Sequence, residues 1–179
     1  MRSVVLCVAV TLLAACRGDA APPPSSAQPS GTGGVAPPTT SIEANATVER
    51  VVDGDTIVVD IDGHRETVRL IGINTPETVK PNSPVECYGP EASKRTKELL
   101  PPGTPVRLER DIEARDVYGR LLAYVQRATD GMFVNLELVE EGDAVLLTFP
   151  PNTAHTDAFV AAAGAAERAG VGLWSACDG

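Results

Sequence analysis

Positive charge is scarce in this sequence. Its 179 residues carry 15 Lys and Arg against 24 Asp and Glu, a net charge of −9, and loss of Arg2 with the N-terminal segment described below would lower it to −10. A protein whose task is to hold nucleic acid usually presents a basic surface, so this balance weighs against a pure nucleic-acid-binding module. It weighs less against a catalyst, which needs only a local cationic pocket and must release its product. Histidine is scarcer still. His64 and His155 are the two present; neither stands at metal-ligand spacing, no zinc motif exists, and both read as surface residues. Long apolar runs are missing as well: the uncharged stretch at residues 4–15 is too short to span a bilayer comfortably. There is no internal repeat. What remains is a 43% hydrophobic chain, long enough for one domain with a real core and some appendages.

The appendages lie at the N-terminus. Arg2 and the run after it have the form of a secretory h-region, and the run ends in Leu13-Ala14-Ala15-Cys16, the pattern of a bacterial lipobox, where cleavage precedes a lipid-bearing cysteine. Residues 1–15 are expected to be a lipoprotein-type signal peptide with Cys16 as the lipidation site; an ordinary secretory signal with an incidental cysteine is the alternative. Residues 16–45 include Pro22-Pro23-Pro24-Ser25-Ser26 and Pro37-Pro38-Thr39-Thr40, a composition that cannot bury enough apolar surface to offset chain entropy. They are expected to form a disordered tether, spanning some 25–30 Å at roughly 5–6 Å times the square root of its length. The protein is accordingly expected to be exported, either anchored to the outer face of a bacterial membrane or secreted, and to be a monomer.

Of the four cysteines, Cys7 would leave with the signal and Cys16 would carry lipid. Cys87 and Cys177 remain. An even pair in an exported protein reads as a disulfide, here closing a loop of about 90 residues, for which the chain-entropy model allows at most about 4–5 kcal/mol. Two free thiols or a metal pair are the alternatives, with no further Cys or suitably placed His to support them.

Residues 47–61 are rich in β-branched side chains and broken by Asp53-Gly54, which predicts two strands or one strongly bent ribbon. Asp62-Gly63-His64 predicts a hairpin turn into a third strand at 66–73, completing a meander. Gly89-Pro90-Glu91 opens a helix that Pro101-Pro102-Gly103 stops near Leu100. Strands at 106–110 and 121–127 flank the polar loop 111–119. Residues 134–141 are ambiguous in period, but their Leu and Glu content and the closing Gly142 favour a short helix. A final, Ala-rich helix is expected at 154–169. Five short strands with a helix between the third and fourth form the element order of an OB-type barrel. The expected fold over residues 46–179 is therefore α+β, a five-stranded OB-fold β-barrel with about three helices. Such a fold does not by itself give a function.

Chemistry enters with two motifs about fifteen residues apart, Val52-Asp53-Gly54-Asp55-Thr56 and Arg69-Leu70-Ile71-Gly72-Ile73-Asn74-Thr75-Pro76-Glu77, followed downstream by Asp116-Val117-Tyr118-Gly119-Arg120. Arginine grips phosphate bidentately, and clustered Asp, Asn and Glu oxygens suit a hard divalent cation. The combination points to metal-assisted phosphodiester chemistry, in which cationic donors stabilise charge developing on phosphate oxygens and a carboxylate general base adds typically 100- to 10,000-fold. Each motif alone has a plainer meaning. Asp53-Gly54-Asp55 can be a turn, Thr75-Pro76-Glu77 a loop start, and Arg120 a surface arginine paired with any nearby acid.

Six stretches in order carry a resemblance: the two motifs just named, Tyr88-Gly89-Pro90-Glu91-Ala92, Tyr118-Gly119-Arg120-Leu121-Leu122-Ala123-Tyr124, Val134-Asn135 and Gly172-Leu173-Trp174. Together they resemble the staphylococcal nuclease (thermonuclease) family from about residue 46 to 174. The resemblance implies a calcium-dependent nuclease that hydrolyses phosphodiester bonds of DNA or RNA to give 3′-phosphate ends. It implies one Ca2+ held by Asp55, Asn74 and the backbone carbonyl of Thr75, with Glu77 orienting or deprotonating the attacking water and Arg69 and Arg120 clamping the phosphate.

Two departures from the family pattern stand out. Asn74 replaces an aspartate, which removes a charged ligand and predicts weaker calcium binding or a shift to other divalent metals. In Ala144-Val145-Leu146-Leu147-Thr148-Phe149, where relatives place tyrosines, only Phe149 is aromatic. Phe149 and Tyr118 are candidates for stacking on bases, although Phe149 suits a core position equally; Lys80 is a candidate substrate contact or a solvated lysine. Trp174 reads as a core plug at the C-terminus. The alternative to a nuclease is a catalytically weak or silent OB module that binds nucleic acid or protein at the cell envelope. Such a module has no need of a glutamate pointing at a phosphate.

Overall fold

The computed structural model describes residues 41–79 and 84–177. The expectations for residues 1–15, Cys16, most of the tether and Lys80 lie outside the described residues. Among those described, no helix is long and apolar enough to cross a membrane.

β1 (Ala46–Asp53) and β2 (Thr56–Ile61) pair antiparallel around the Gly54-Asp55 turn. Register shifts at Val48/Arg50 and Val51/Asp53 bend β1, as bulges do, so the ribbon expected from sequence is two strands. Asp62 and Gly63, at φ 53° and 82°, make the tight turn into β3 (His64–Leu70); two successive positive φ values are what a twisted two-residue hairpin needs. β3 pairs in parallel with β6 (Leu121–Arg127), which pairs antiparallel with β5 (Pro105–Glu109). β5 closes on β1 through Ala46↔Val106 and Thr47↔Pro105. The result is a closed five-stranded barrel in the order β1-β2-β3-β6-β5, with helices packed against it, as the α+β expectation required.

The third strand is shorter than its sequence pattern. It stops at Leu70, and a separate β4 (Gly72–Asn74) pairs with β7 (Val145–Leu147) in a two-stranded sheet. Gly72 explains the break: its φ is +83°, and a Cβ there would lie 2.3 Å from the ring of Phe159. Only glycine satisfies both conditions, and the redirected chain carries Asn74, Thr75 and Glu77 off the barrel. The junction is held by Asn135, wholly buried, whose amide donates to Ile71 O at 2.9 Å and accepts from Val125 N–H at 2.9 Å.

α1 (Gly89–Leu99) carries Pro90 and Glu91 in its first turn. α2 (Val134–Glu140) buries Val134, Leu138 and Val139, and α3 (Thr156–Ala169) buries Phe159, Ala162 and Ala166. All of these but Ala166 join Val48, Ile57, Val68, Leu70, Val106 and Tyr124 in one core, where each fully buried large aliphatic contributes roughly 1.5–3 kcal/mol. The one-turn α4 (Leu173–Ala176) follows, and Cys87 is bonded to Cys177. Two smaller expectations are corrected. Trp174 is only half-buried. His155 does not sit free on the surface but packs its ring 4.4 Å from Tyr124 and 5.0 Å from Phe133, because the start of α3 is drawn onto the aromatic side of the core.

Candidate active site

The six residues expected to serve metal, water and phosphate, Asp55, Arg69, Asn74, Thr75, Glu77 and Arg120, line one polar cleft of about 420 Å³. They arrive there from the β1–β2 turn, the end of β3, the end of β4, the segment after it and the approach to β6.

Asp55 is buried at the turn. Its Oδ1 accepts the Thr56 hydroxyl at 3.0 Å; Oδ2 accepts the Thr75 N–H at 3.0 Å and faces Arg69 Nη2 at 3.0 Å. The Asp53-Gly54-Asp55 turn is more than a chain reversal. A Cβ on Gly54 would sit 2.6 Å from Thr75 Oγ1, so glycine lets the turn lie against Thr75, and Thr96 of α1 donates its hydroxyl to Gly54 O at 2.7 Å.

Arg69 is equally enclosed, its side chain 14% exposed. Nη1 donates to Leu70 O and to Ile73 O, the latter at 3.0 Å, and Nη2 donates to Asn74 Oδ1 at 3.1 Å. Burial pushes the guanidinium down from the ordinary arginine range, the charge of Asp55 opposes this, and nearby Arg120 adds to the lowering; an arginine remains a cation throughout. The two guanidinium charges share one neighbourhood, a field suited to a phosphate.

Arg120 is held differently. Its N–H donates to Asp116 Oδ1 at 2.9 Å and its Nε to Asp116 Oδ2 at 2.6 Å, while its guanidinium stands 5.5 Å from the centre of the Tyr118 ring. Its terminal nitrogens make no hydrogen bond among the described residues, so that end is available to a ligand. Burial raises the Asp116 carboxyl, but hydrogen bonds from Arg120 and the Arg120 charge more than offset this and hold it below the usual carboxylate range.

Glu77 turns its Oε1 back onto the N–H groups of Thr78 and Val79 at 3.0 and 2.8 Å. Asp53, also buried, accepts the Thr78 hydroxyl at 2.6 Å and the Thr78 N–H at 3.3 Å, which pins the segment carrying Glu77 to the barrel. Thr78 and Glu86 stand in no short pattern that marks them for the site, and the motifs containing Asp53 and Asp116 do not show the holding roles these two play. Of the four, Asp116 alone carries a local signal for its partner, four residues before Arg120.

Tyr118 and Phe149 are 82% and 70% exposed. Both border a second, largely apolar cleft of about 360 Å³ that also touches Arg69, Arg120 and Leu122. Phe149 is therefore a surface aromatic and not a core residue.

The donors proposed for a cation, the Asp55 carboxylate, the Asn74 amide oxygen and the Thr75 carbonyl, are all hard oxygens, which fits a calcium-like ion. Thr75 Oγ1 is buried without a hydrogen-bond partner among the described residues. Only one of the three donors is charged, and no cluster of three or more His, Cys, Asp or Glu placed to hold a metal occurs among the described residues.

Residues 67–176 match the model of the family described as staphylococcal nuclease homologue. The chain is 49% identical to a thermonuclease of Staphylococcus intermedius over 127 residues, covering 71% of this chain and 74% of that protein. It is 46% identical to a thermonuclease of Staphylococcus hyicus over 128 residues, 72% of this chain and 74% of the relative. A third relative, endonuclease YncB of Bacillus subtilis, is 46% identical over 133 residues, 73% of this chain and 62% of that protein.

Proposed function

The chain belongs to the staphylococcal nuclease homologue family, and from that premise we propose that it is a nuclease that cleaves phosphodiester bonds of DNA or RNA in the cleft between Asp55 and Arg120. One observation carries the proposal: two guanidinium groups, Arg69 and Arg120, converge with Glu77 and the buried Asp55 in a single cleft.

The roles follow from how each group is held. Arg69, locked by carbonyl and carboxylate partners, offers a cation that needs no reorganisation when charge builds on the phosphate, the condition under which electrostatic stabilisation is most effective. Arg120, fixed through Nε alone, presents its terminal N–H groups to the other phosphate oxygens. Glu77 spends Oε1 on two backbone N–H groups, which orients the carboxylate and leaves Oε2 to take a proton from the attacking water. Departure of the 5′-oxygen would leave 3′-phosphate ends. Asp55, Asn74 and the Thr75 carbonyl would hold Ca2+, which when bound supplies Lewis-acid polarisation and a fixed position for water. Tyr118 and Phe149 give unpaired bases a stacking surface.

The lipobox-like Leu13-Ala14-Ala15-Cys16 and the Pro-rich stretch after it support export, with the protein lipid-anchored at Cys16 or secreted, and we take it to act as a monomer. The decisive experiment incubates the purified protein with single-stranded DNA and with RNA in Ca2+, Mg2+ or Mn2+, with and without chelator, beside Glu77→Gln. Chelator-sensitive cleavage to 3′-phosphate ends, lost in the variant, is expected. Equal inertness of both proteins in every metal would replace the nuclease with a silent OB module, and cleavage that ignores chelator would remove the cation.

A further inference from the structure

We propose that Glu86 and the Cys87–Cys177 bridge form a covalently anchored clamp that positions Glu77 for the reaction. The inference rests on the role given to Glu77 above and deepens it.

The chain leaves the barrel at Glu77 and returns beside it at Glu86. Glu86 N–H donates to Glu77 O at 3.0 Å, and Glu77 N–H donates to Glu86 Oε2 at 2.9 Å. Glu86 is exposed, and a hydrogen-bonded pair open to water contributes only modestly to holding a backbone in place. Two further contacts restrain it. Gly89 N–H donates to Glu86 O at 3.1 Å, and Gly89 is pressed so closely against this segment that a Cβ there would lie 2.8 Å from Thr78 Cγ2 and 3.2 Å from Glu77 O. The residue next to Glu86 is Cys87, bonded to Cys177 across 90 residues of sequence.

The far end of the bridge is itself anchored. Leu173 N–H donates to Gly142 O at 2.9 Å, and the backbones of Gly142 and Gly172 approach so closely that a Cβ on Gly172 would fall 2.4 Å from Gly142 O. Cys177 thus hangs from the end of α2, and the bridge transmits that fixed point to Glu86 and through it to the Glu77 backbone. Arg69, Arg120 and Tyr118 stand on other elements, so opening the bridge leaves the phosphate and base contacts intact while loosening the carboxylate. Misplacement of a reacting group by about 1 Å can cost on the order of 100-fold in rate; a partial loosening, with Asp53 and Thr78 still in place, should cost about ten-fold in kcat with KM within about two-fold.

The test compares oxidised wild type with Cys87→Ser/Cys177→Ser, Glu86→Ala and Glu86→Gln, each also in a Glu77→Gln background. Circular dichroism and thermal midpoints fix a temperature at which every variant compared is folded. The clamp requires a fall in kcat for the double-cysteine variant and for Glu86→Ala, and retention in Glu86→Gln, whose amide oxygen still accepts the Glu77 N–H. It also requires that neither lesion lower the residual rate of Glu77→Gln any further, since coupled residues are not additive. A folded double-cysteine variant with wild-type kcat overturns the clamp, as does the same fractional loss in the Glu77→Gln background. If the double-cysteine variant does not fold, Glu86→Ala decides with the bridge intact: wild-type kcat there overturns the proposal. Full activity in Glu77→Gln alone overturns the role of Glu77 and the clamp with it, an outcome distinct from the others.

Discussion

Arg69 Nη2 lies 3.0 Å from Asp55 Oδ2 and 3.1 Å from Asn74 Oδ1, so the arginine proposed to face the phosphate already engages the oxygens proposed to face a cation. The two arginines of the site are therefore not equivalent. Removing Arg69 takes the cationic partner from the buried Asp55 carboxylate and the arginine donor from Leu70 O, Ile73 O and Asn74 Oδ1, a loss of about 2–4 kcal/mol in stability, on top of a large loss of rate. Arg120 is half-exposed and paired with a carboxylate close in sequence, so Arg120→Ala should cost about 1 kcal/mol of stability or less while kcat falls by on the order of 100-fold or more. Urea denaturation beside steady-state kinetics separates the two. Arg69→Lys should not rescue, because a lysine ammonium lacks the planar fork that reaches Leu70 O, Ile73 O, Asn74 Oδ1 and Asp55 Oδ2 at once.

Asn74→Asp should raise calcium affinity, because a charged oxygen replaces an amide oxygen in a donor set that has only Asp55 as its charge. Titration calorimetry of the two proteins reads this directly. Unchanged affinity would mean that Asn74 serves Arg69 and not a cation.

The barrel was legible because its signals are local. β-branched runs mark β1 and β2, Asp62-Gly63 marks the hairpin, and Pro101-Pro102-Gly103 ends α1. The break between β3 and β4 was not, because Gly72 looks like any glycine in an apolar run until the ring of Phe159, brought in from α3, is placed against it. The site shows the same division. Its six principal residues lie in compact motifs, and the structure gathers all six. The residues that hold them act across gaps no short pattern spans: Asp53 reaches Thr78 across 25 positions and Glu86 reaches Glu77 across 9. Phe149 was ambiguous from composition alone, since a single aromatic in an apolar stretch fits a core or a surface; its exposure follows from its place after β7, where the chain turns outward through Pro150.

Tyr118 and Phe149 present exposed rings beside Arg120. Truncating either to Ala should leave the thermal midpoint almost unchanged, since little apolar surface leaves the core. KM for single-stranded nucleic acid should rise by about five-fold or more, in line with about 1–3 kcal/mol per stacked base. On an abasic phosphodiester the difference between wild type and variant should vanish. Persistence of the defect on that substrate would assign the two rings to phosphate positioning.

Asp143 is 4% exposed and makes no ion pair among the described residues. Burial, followed by the charge of Glu141, pushes its carboxyl up from the usual range to about 6. The groups around it compensate only in part: Arg95, committed to Glu141 at 2.6 Å, and a hydrogen bond with the Tyr88 side chain oppose the shift, and Glu98 adds to it. Because the folded pKa lies above the unfolded one, the native state binds the extra proton between about pH 4 and 6, and stability falls as pH rises through that window. Above about pH 6 the buried carboxylate is ionised, a cost of roughly 1–3 kcal/mol. Asp143→Asn removes the charge and keeps the shape, so it should stabilise the protein by about that much at pH 8. At pH 4 and below, where the wild-type carboxyl is already neutral, the two denaturation curves should converge. An equal gap at both pH values would show that the substitution acts through packing and not through ionisation of Asp143.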